Sequence, residues 1–310
     1  MVPPSRINSF FDYFTTLSSG IDQNQCNDAE LISVSLILLQ REPMAFEEIP
    51  VPEMEFIRLK LVDELGNRRF DLQYGGISIL QNRSLRIDQR LIVLGFFLEQ
   101  ADDLLREGKF QQWAELSALY VSEDFMQEIP SMLQTVKFSP YEYVKAMLGI
   151  IESLYGKNAT FFGKHTYLDY VTETFSLEDV KSVSLMDMKN RYLDKCHPVR
   201  VWMLGEFSYL FENYLVNEFF LNLYPFRIHG SCALNYKVFP LMYKLAEFVL
   251  TAMASVKEWQ ISEMDIVRFF SDFSNRMDHN GRYMDECVSA TSKQSEGLGD
   301  LMKALLDVEG

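Results

Sequence analysis

The sequence predicts a mainly α-helical protein, an irregular multi-helix bundle with few or no strands. Three observations carry that prediction. Apolar residues recur three and four positions apart along nearly the whole chain, which is the period of amphipathic helices. Alternating apolar and polar runs of strand type are scarce, and prolines sit between the periodic stretches, where a helix has to stop.

The first periodic stretches are Asp28–Gln40 and Glu53–Leu65, separated by a connector with Pro43, Pro50 and Pro52. Gly75-Gly76 reads as a turn. The best-defined helix is Asp88–Arg106, where Leu91, Leu94, Phe97, Leu98, Ala101, Leu104 and Leu105 make one stripe and Gly108 supplies the stop signal. Gln111–Val121 and Pro140–Tyr155 follow, with Pro130 and Pro140 bracketing a short segment between them. A loop at Gly156–Gly163 is the best place for an internal boundary, yet it is short and carries two phenylalanines, so a single domain is expected. Next come Leu177–Asp194 and Val199–Leu223, the latter ended by Pro225, then Cys232–Val256 and Glu263–His279. The segment 289–310 reads as a Ser- and Gly-containing tail that ends in a short apolar pattern at Leu298, Leu301, Met302, Leu305 and Leu306.

Composition narrows the function classes. The 310 residues include 44 acidic and 29 basic side chains, for a net charge of −15, with 48% hydrophobic residues. That is enough apolar material for a core, so disorder as the main state is excluded. The negative charge repels phosphate backbones, and no dense basic run offsets it, so nucleic acid is not expected as a partner. Cys26, Cys196, Cys232 and Cys287 are widely spaced, which points to free thiols in a reducing compartment. The start lacks an apolar leader core, and no uncharged apolar stretch is long enough to span a bilayer, so the expectation is a cytoplasmic protein without a membrane partner.

Chemical motifs are sparse. Gly75-Gly76 lacks a preceding strand and the spacing of a dinucleotide loop, and no G-x-S-x-G elbow is present. Cys196-His197 and His229-x-x-Cys232 offer four N/S ligands in principle, but adjacent ligands rarely face one metal, and buried thiols with surface imidazoles are the plainer reading. Two helices carry polar stripes. Glu206, Asn213 and Asn217 share one angular sector beside a core face of Leu204, Phe207, Phe211, Tyr214 and Leu215. Asp265, Arg268, Asp272, Arg276 and His279 do the same beside Ile266, Phe269, Phe270, Phe273 and Met277. Periodicity alone favours solvated faces with i,i+4 charge pairs such as Asp272–Arg276, and the sharper alternative is that the two stripes face each other across a cleft. His279, with an ordinary imidazole pKa near neutrality, is the acid or base available to such a cleft.

The string ENYLVNEFFLNLYPF at Glu212–Phe226 resembles a stretch of flagellin lysine-N-methylases. Three more segments are similar to the same family in the same order: Cys26–Glu30 with Pro43–Glu47, Ile79–Arg83 running into Gln89–Gly95, and Ile266–Arg268 through Phe273–Asn280. The resemblance implies a helical domain over residues 25–288 that methylates lysine side chains of flagellin with S-adenosylmethionine. It also implies a cysteine-rich region before that domain, thought to hold an iron–sulfur or other metal centre. Residues 1–24 would be its remnant, but they contain no cysteine, and the family's Cys-Pro-Glu is Cys-Asn-Asp here. An iron–sulfur cluster is therefore expected only with upstream cysteines that this sequence lacks, Cys26 being a remnant ligand. Within the resemblance, Glu212 and His279 are the candidate catalytic groups, to orient or deprotonate the lysine. Asn213, Asn217 and Arg276 are the candidate cofactor-binding groups, the amides for its aminoacyl end and the guanidinium for its carboxylate. The alternative for Glu212 and Asn213 is a network that locks helices together, and for the whole chain a non-catalytic helical module that binds a protein partner.

Overall fold

The computed structural model describes residues 64–134, 137–157, 167–177, 184–222, 224–226, 231–278, 289 and 298–306. No strand occurs among the described residues, and the fold is mainly helical as expected. In chain order the helices are α1 (Glu64–Leu80), α2 (Ile87–Arg106), α3 (Trp113–Tyr120), α4 (Glu123–Leu133), α5 (Pro140–Lys157), α6 (Tyr167–Phe175), α7 (Leu185–Arg191), α8 (His197–Glu206), α9 (Ser208–Leu221), α10 (Cys232–Val256), α11 (Glu263–Asp278) and α12 (Leu298–Leu305). The expected helix Asp28–Gln40, nearly all of Glu53–Leu65 and the segment 1–24 lie outside the described residues.

The central element is α10, which packs against α2, α5, α6, α8, α11 and α12. Its stretch Asn235–Val256 is by length and mean hydropathy apolar enough to cross a membrane, but it carries Lys237, Lys244 and Glu247, and 94% of its most apolar window is buried inside the protein. That marks a core helix. Pro240 lies within it and removes one backbone donor, a defect tolerated because packing on all sides holds the helix.

Helix α2 runs antiparallel to α10 and is joined to it at three levels. Asp102 accepts from the backbone amides of Cys232 (2.6 Å) and Ala233 (3.0 Å), capping α10 from a neighbouring helix. The Tyr236 hydroxyl donates to the Leu91 carbonyl at 2.6 Å, and Lys244 reaches Asp88 at 3.2 Å. At its other end α2 stops as the sequence indicates, with Gly108 at φ 71° and the Lys109 amide donating to Leu104.

Several boundaries differ from the sequence reading. Gly75 and Gly76 lie inside α1 and form no turn. A Cβ on Gly75 would sit 2.5 Å from Ser117 Oγ, and one on Gly76 2.5 Å from the Phe219 ring, so the pair lets α3 and α9 approach the α1 backbone. Helices α4 and α6 were not among the expected helices, and Pro130 is inside α4 instead of separating helices. The expected helix Val199–Leu223 is two helices: α7 continues through a π-helical turn at Tyr192–Cys196 into α8, and the chain breaks at Phe207 before α9 begins. The segment expected as a tail does form its short helix, and that helix is docked. Leu301, Met302, Leu305 and Leu306 are buried against α5 and α10.

Candidate active site

Two of the segments that carry the family resemblance meet in space. The turn between α1 and α2 presents Arg83, whose Nη2 donates to Glu212 Oε1 at 2.8 Å and whose Nε lies 3.1 and 3.2 Å from the two carboxylate oxygens. Arg90, one turn into α2, donates through Nη1 to Glu212 Oε2 at 2.6 Å. The same Arg90 also donates to the carbonyls of Leu80 and Leu85, both at 2.8 Å, and so closes the C-terminal end of α1. Burial pulls the Arg90 guanidinium below its ordinary pKa, and Glu212 opposes that pull. Both oxygens of Glu212 are thus engaged by guanidinium groups, and the carboxylate acts in this geometry as a clamp between α9 and the α1–α2 turn. Arg83 and Arg90 are site residues that the sequence reading missed. Only their place in the matching string Ile79–Gly95 hinted at them.

Asn213 and Asn217 stand one turn apart on α9. Asn213 is only 7% exposed, and the Nδ2 atoms of both amides are buried without a hydrogen-bond partner. Each leaves a buried donor unsatisfied, at about 1–3 kcal/mol apiece. Native folds rarely retain such groups unless a ligand or a water completes them. The third member of the expected stripe does not join them, since Glu206 lies before the break at Phe207 and is exposed.

The two polar stripes do not face each other. The surface between α9 and α11 is closed by aromatic rings, with Tyr214 stacked on Phe270 at 4.2 Å and Phe211 edge-on to Phe270 at 5.4 Å. Ser274 donates to Glu218 at 3.0 Å on the same side. At about 100° per residue, Asp272 points away from that interface, and it accepts instead from the Tyr167 hydroxyl of α6 at 2.9 Å. Asp265 is engaged in capping α11, accepting from the Ser262 amide at 2.9 Å. Arg276 is on α11 one turn after Asp272, and its side chain lies outside the described residues. His279 and Cys26 also lie outside them.

A second charged group, invisible in the sequence, occupies the core. Arg200 of α8 donates to Asp88 of α2 at 2.6 Å and to Glu247 of α10 at 2.7 Å, and Lys244 donates to Glu247 at 2.5 Å. Two acids and two bases cancel, and all four are almost fully buried. Burial raises the Glu247 pKa, but Arg200 and Lys244 outweigh it and bring the carboxyl down to about 2. The rings of Tyr143 and Tyr243 lie against the Lys244 ammonium at 5.5 and 5.6 Å.

No cluster of three or more His, Cys, Asp or Glu able to hold a metal exists among the described residues. Cys196 and Cys232 are buried free thiols in different elements, with burial pushing Cys196 up to about 12. The described residues therefore offer no ligand set for an iron–sulfur centre. For S-adenosylmethionine only a fragment of a site is present: the two unsatisfied amide nitrogens on α9 are donors of the kind that suits a carboxylate, they are sealed from solvent, and nothing described is assigned to its ammonium or adenine. No curated protein and no solved structure matches the chain. Residues 76–306, from the glycine pair of α1 through α12, match the family model described as FliB lysine N-methylase C-terminal domain, and with most of its length covered the chain belongs to that family.

Proposed function

We propose that the chain methylates lysine side chains of flagellin with S-adenosylmethionine, in the cytoplasm. The family relationship supports lysine N-methylation, and the free thiols of Cys196 and Cys232 suit a reducing compartment. When bound, S-adenosylmethionine supplies an electrophilic methyl group. In this reading Asn213 and Asn217 donate to the carboxylate of the cofactor, and the Arg83–Glu212–Arg90 clamp fixes α9 so that the two amides are held in place. Glu212 positions the site, and the proton of the lysine ammonium passes to another base, for which His279 remains the candidate. Arg276, whose side chain lies outside the described residues, remains the candidate partner for the carboxylate of the cofactor.

The observation that carries the reading is the pair of buried, unpartnered amides in the family string. The test is transfer of labelled methyl groups to purified flagellin under reducing, anaerobic conditions. Transfer by the native chain is expected, and Asn213→Leu is expected to lower it at least about tenfold while leaving the melting temperature unchanged or raised, since it removes an unsatisfied polar group. Absence of transfer by the native chain discards the catalytic reading.

The engagement of both Glu212 oxygens favours a second reading, a non-catalytic module that binds flagellin. Flagellin binding that ignores S-adenosylmethionine, without methylation, would select it.

A further inference from the structure

The corner where α10 turns into α11 is built at a steric cost. Glu258 and Trp259 both adopt left-handed backbone, with φ of 50° and 68°. Their amides close α10, Trp259 donating to Ala254 at 2.9 Å and Glu258 to Ser255 at 3.1 Å. Glycine ordinarily does this without strain. Here the positions carry a carboxylate and an indole instead, and Trp259 remains 45% exposed. Its ring lies on Trp202 of α8 at 5.7 Å, and Trp202 meets Phe207 edge-on at 5.5 Å.

The surroundings are negative. Glu206, Glu258 and Glu263 are exposed. Glu206 ends α8, whose Trp202 meets Trp259, and Glu263 opens α11 just past the turn, and burial together with these two carboxylates raises the Tyr209 hydroxyl pKa. Helix α8 ends at Glu206 and α10 at Val256, so two helix carbonyl ends add negative potential. Lys257, the basic residue of the turn, is directed to Asp265 at 3.8 Å. Tyr209 lies one turn before Asn213 on α9, so the corner adjoins the row of unsatisfied amides.

We propose that this corner docks an alkylammonium group, the lysine side chain of a partner protein, and holds it most tightly once it is methylated. An exposed indole face attracts a cation electrostatically. Methylation strips hydration from the ammonium and adds apolar surface, both of which favour an aromatic face over water. The carboxylates and helix ends supply the complementary charge. That the partner is the methylation substrate rests on the function proposed above, while the preference for an ammonium does not.

The test is calorimetric titration of the full chain, without cofactor, with a short peptide bearing one trimethyllysine and with its neutral isostere, in which carbon replaces the quaternary nitrogen. The charged peptide is expected to bind at least about threefold tighter than the isostere. Trp259→Gly is expected to melt at the same or a higher temperature, because glycine accepts φ 68° freely, and to lose peptide binding. The proposal is overturned by equal binding of the isostere, by no saturable binding, or by undiminished affinity in a folded Trp259→Gly chain. Self-association that Trp259→Gly abolishes, with no peptide binding, also overturns it and gives the face to a second copy. Methyl transfer without peptide binding sinks this site alone, whereas peptide binding without methyl transfer sinks only the catalytic reading.

Discussion

Glu212 shows how one side chain can be fixed by its neighbours rather than by its own chemistry. Arg90 is as buried as the carboxylate, whereas Arg83 is 55% exposed and stays partly hydrated. Glu212→Gln would leave Arg90 buried with a weakened partner, so we expect a loss near the lower end of the buried-pair range, about 3 kcal/mol, read from urea midpoints. Asn213→Leu should do the opposite and cost nothing in stability. Sequence periodicity put Asn213 and Asn217 on one stripe and the family string added Glu212, but neither showed what they face. Arg83 and Arg90 lie 129 and 122 residues from Glu212 along the chain, and no spacing rule links positions so far apart. The same holds for Asp88, 112 residues from Arg200 and 156 from Lys244. Charged residues signal solvent when read alone, and only packing reveals that these four neutralise one another inside.

Among the elements, α2, α10 and α11 were legible because each buries a continuous stripe whose period is the helix's own. Helix α1 was not, because a glycine pair ordinarily marks a turn, and the reason for it here resides in α3 and α9. The break at Phe207 was hidden by an apolar pattern that runs across it, although Gly205 stands two residues before it. Gly95 on α2 is a close-approach position of the same kind. An added Cβ would collide with Met302 and lie 2.7 Å from the Tyr236 ring, and that ring is held in place by its bond to Leu91. Met302 is flexible at its end and can yield, but Tyr236 cannot. Gly95→Ala should therefore destabilise the protein by about 1–3 kcal/mol, seen as a fall in melting temperature, despite the better helix propensity of alanine.

For the molecule as a whole, the core tetrad links stability to acidity. The Glu247 carboxyl is held at about 2 in the folded protein against an ordinary value of 4.5. The unfolded chain therefore takes up the proton first as pH falls, so this contribution is complete above about pH 5 and is lost on descending toward about pH 2. Urea midpoints measured across that window should decline. The decline should be shallower when Lys244→Met and Glu247→Leu are introduced together, which leaves Asp88 and Arg200 as a balanced pair. A slope identical to that of the native chain would show that other carboxylates account for it.

The short helix α12 is a plug as much as an ending. Met302 reaches Gly95, Leu305 and Leu306 are sealed from water, and the Lys303 carbonyl accepts from the Ser139 amide at the head of α5. Clipping the polypeptide ahead of Leu298 would uncork an oily slot alongside α10, leaving a sticky particle prone to clumping. An affinity handle fused after Leu306 would instead ride on a seated stopper.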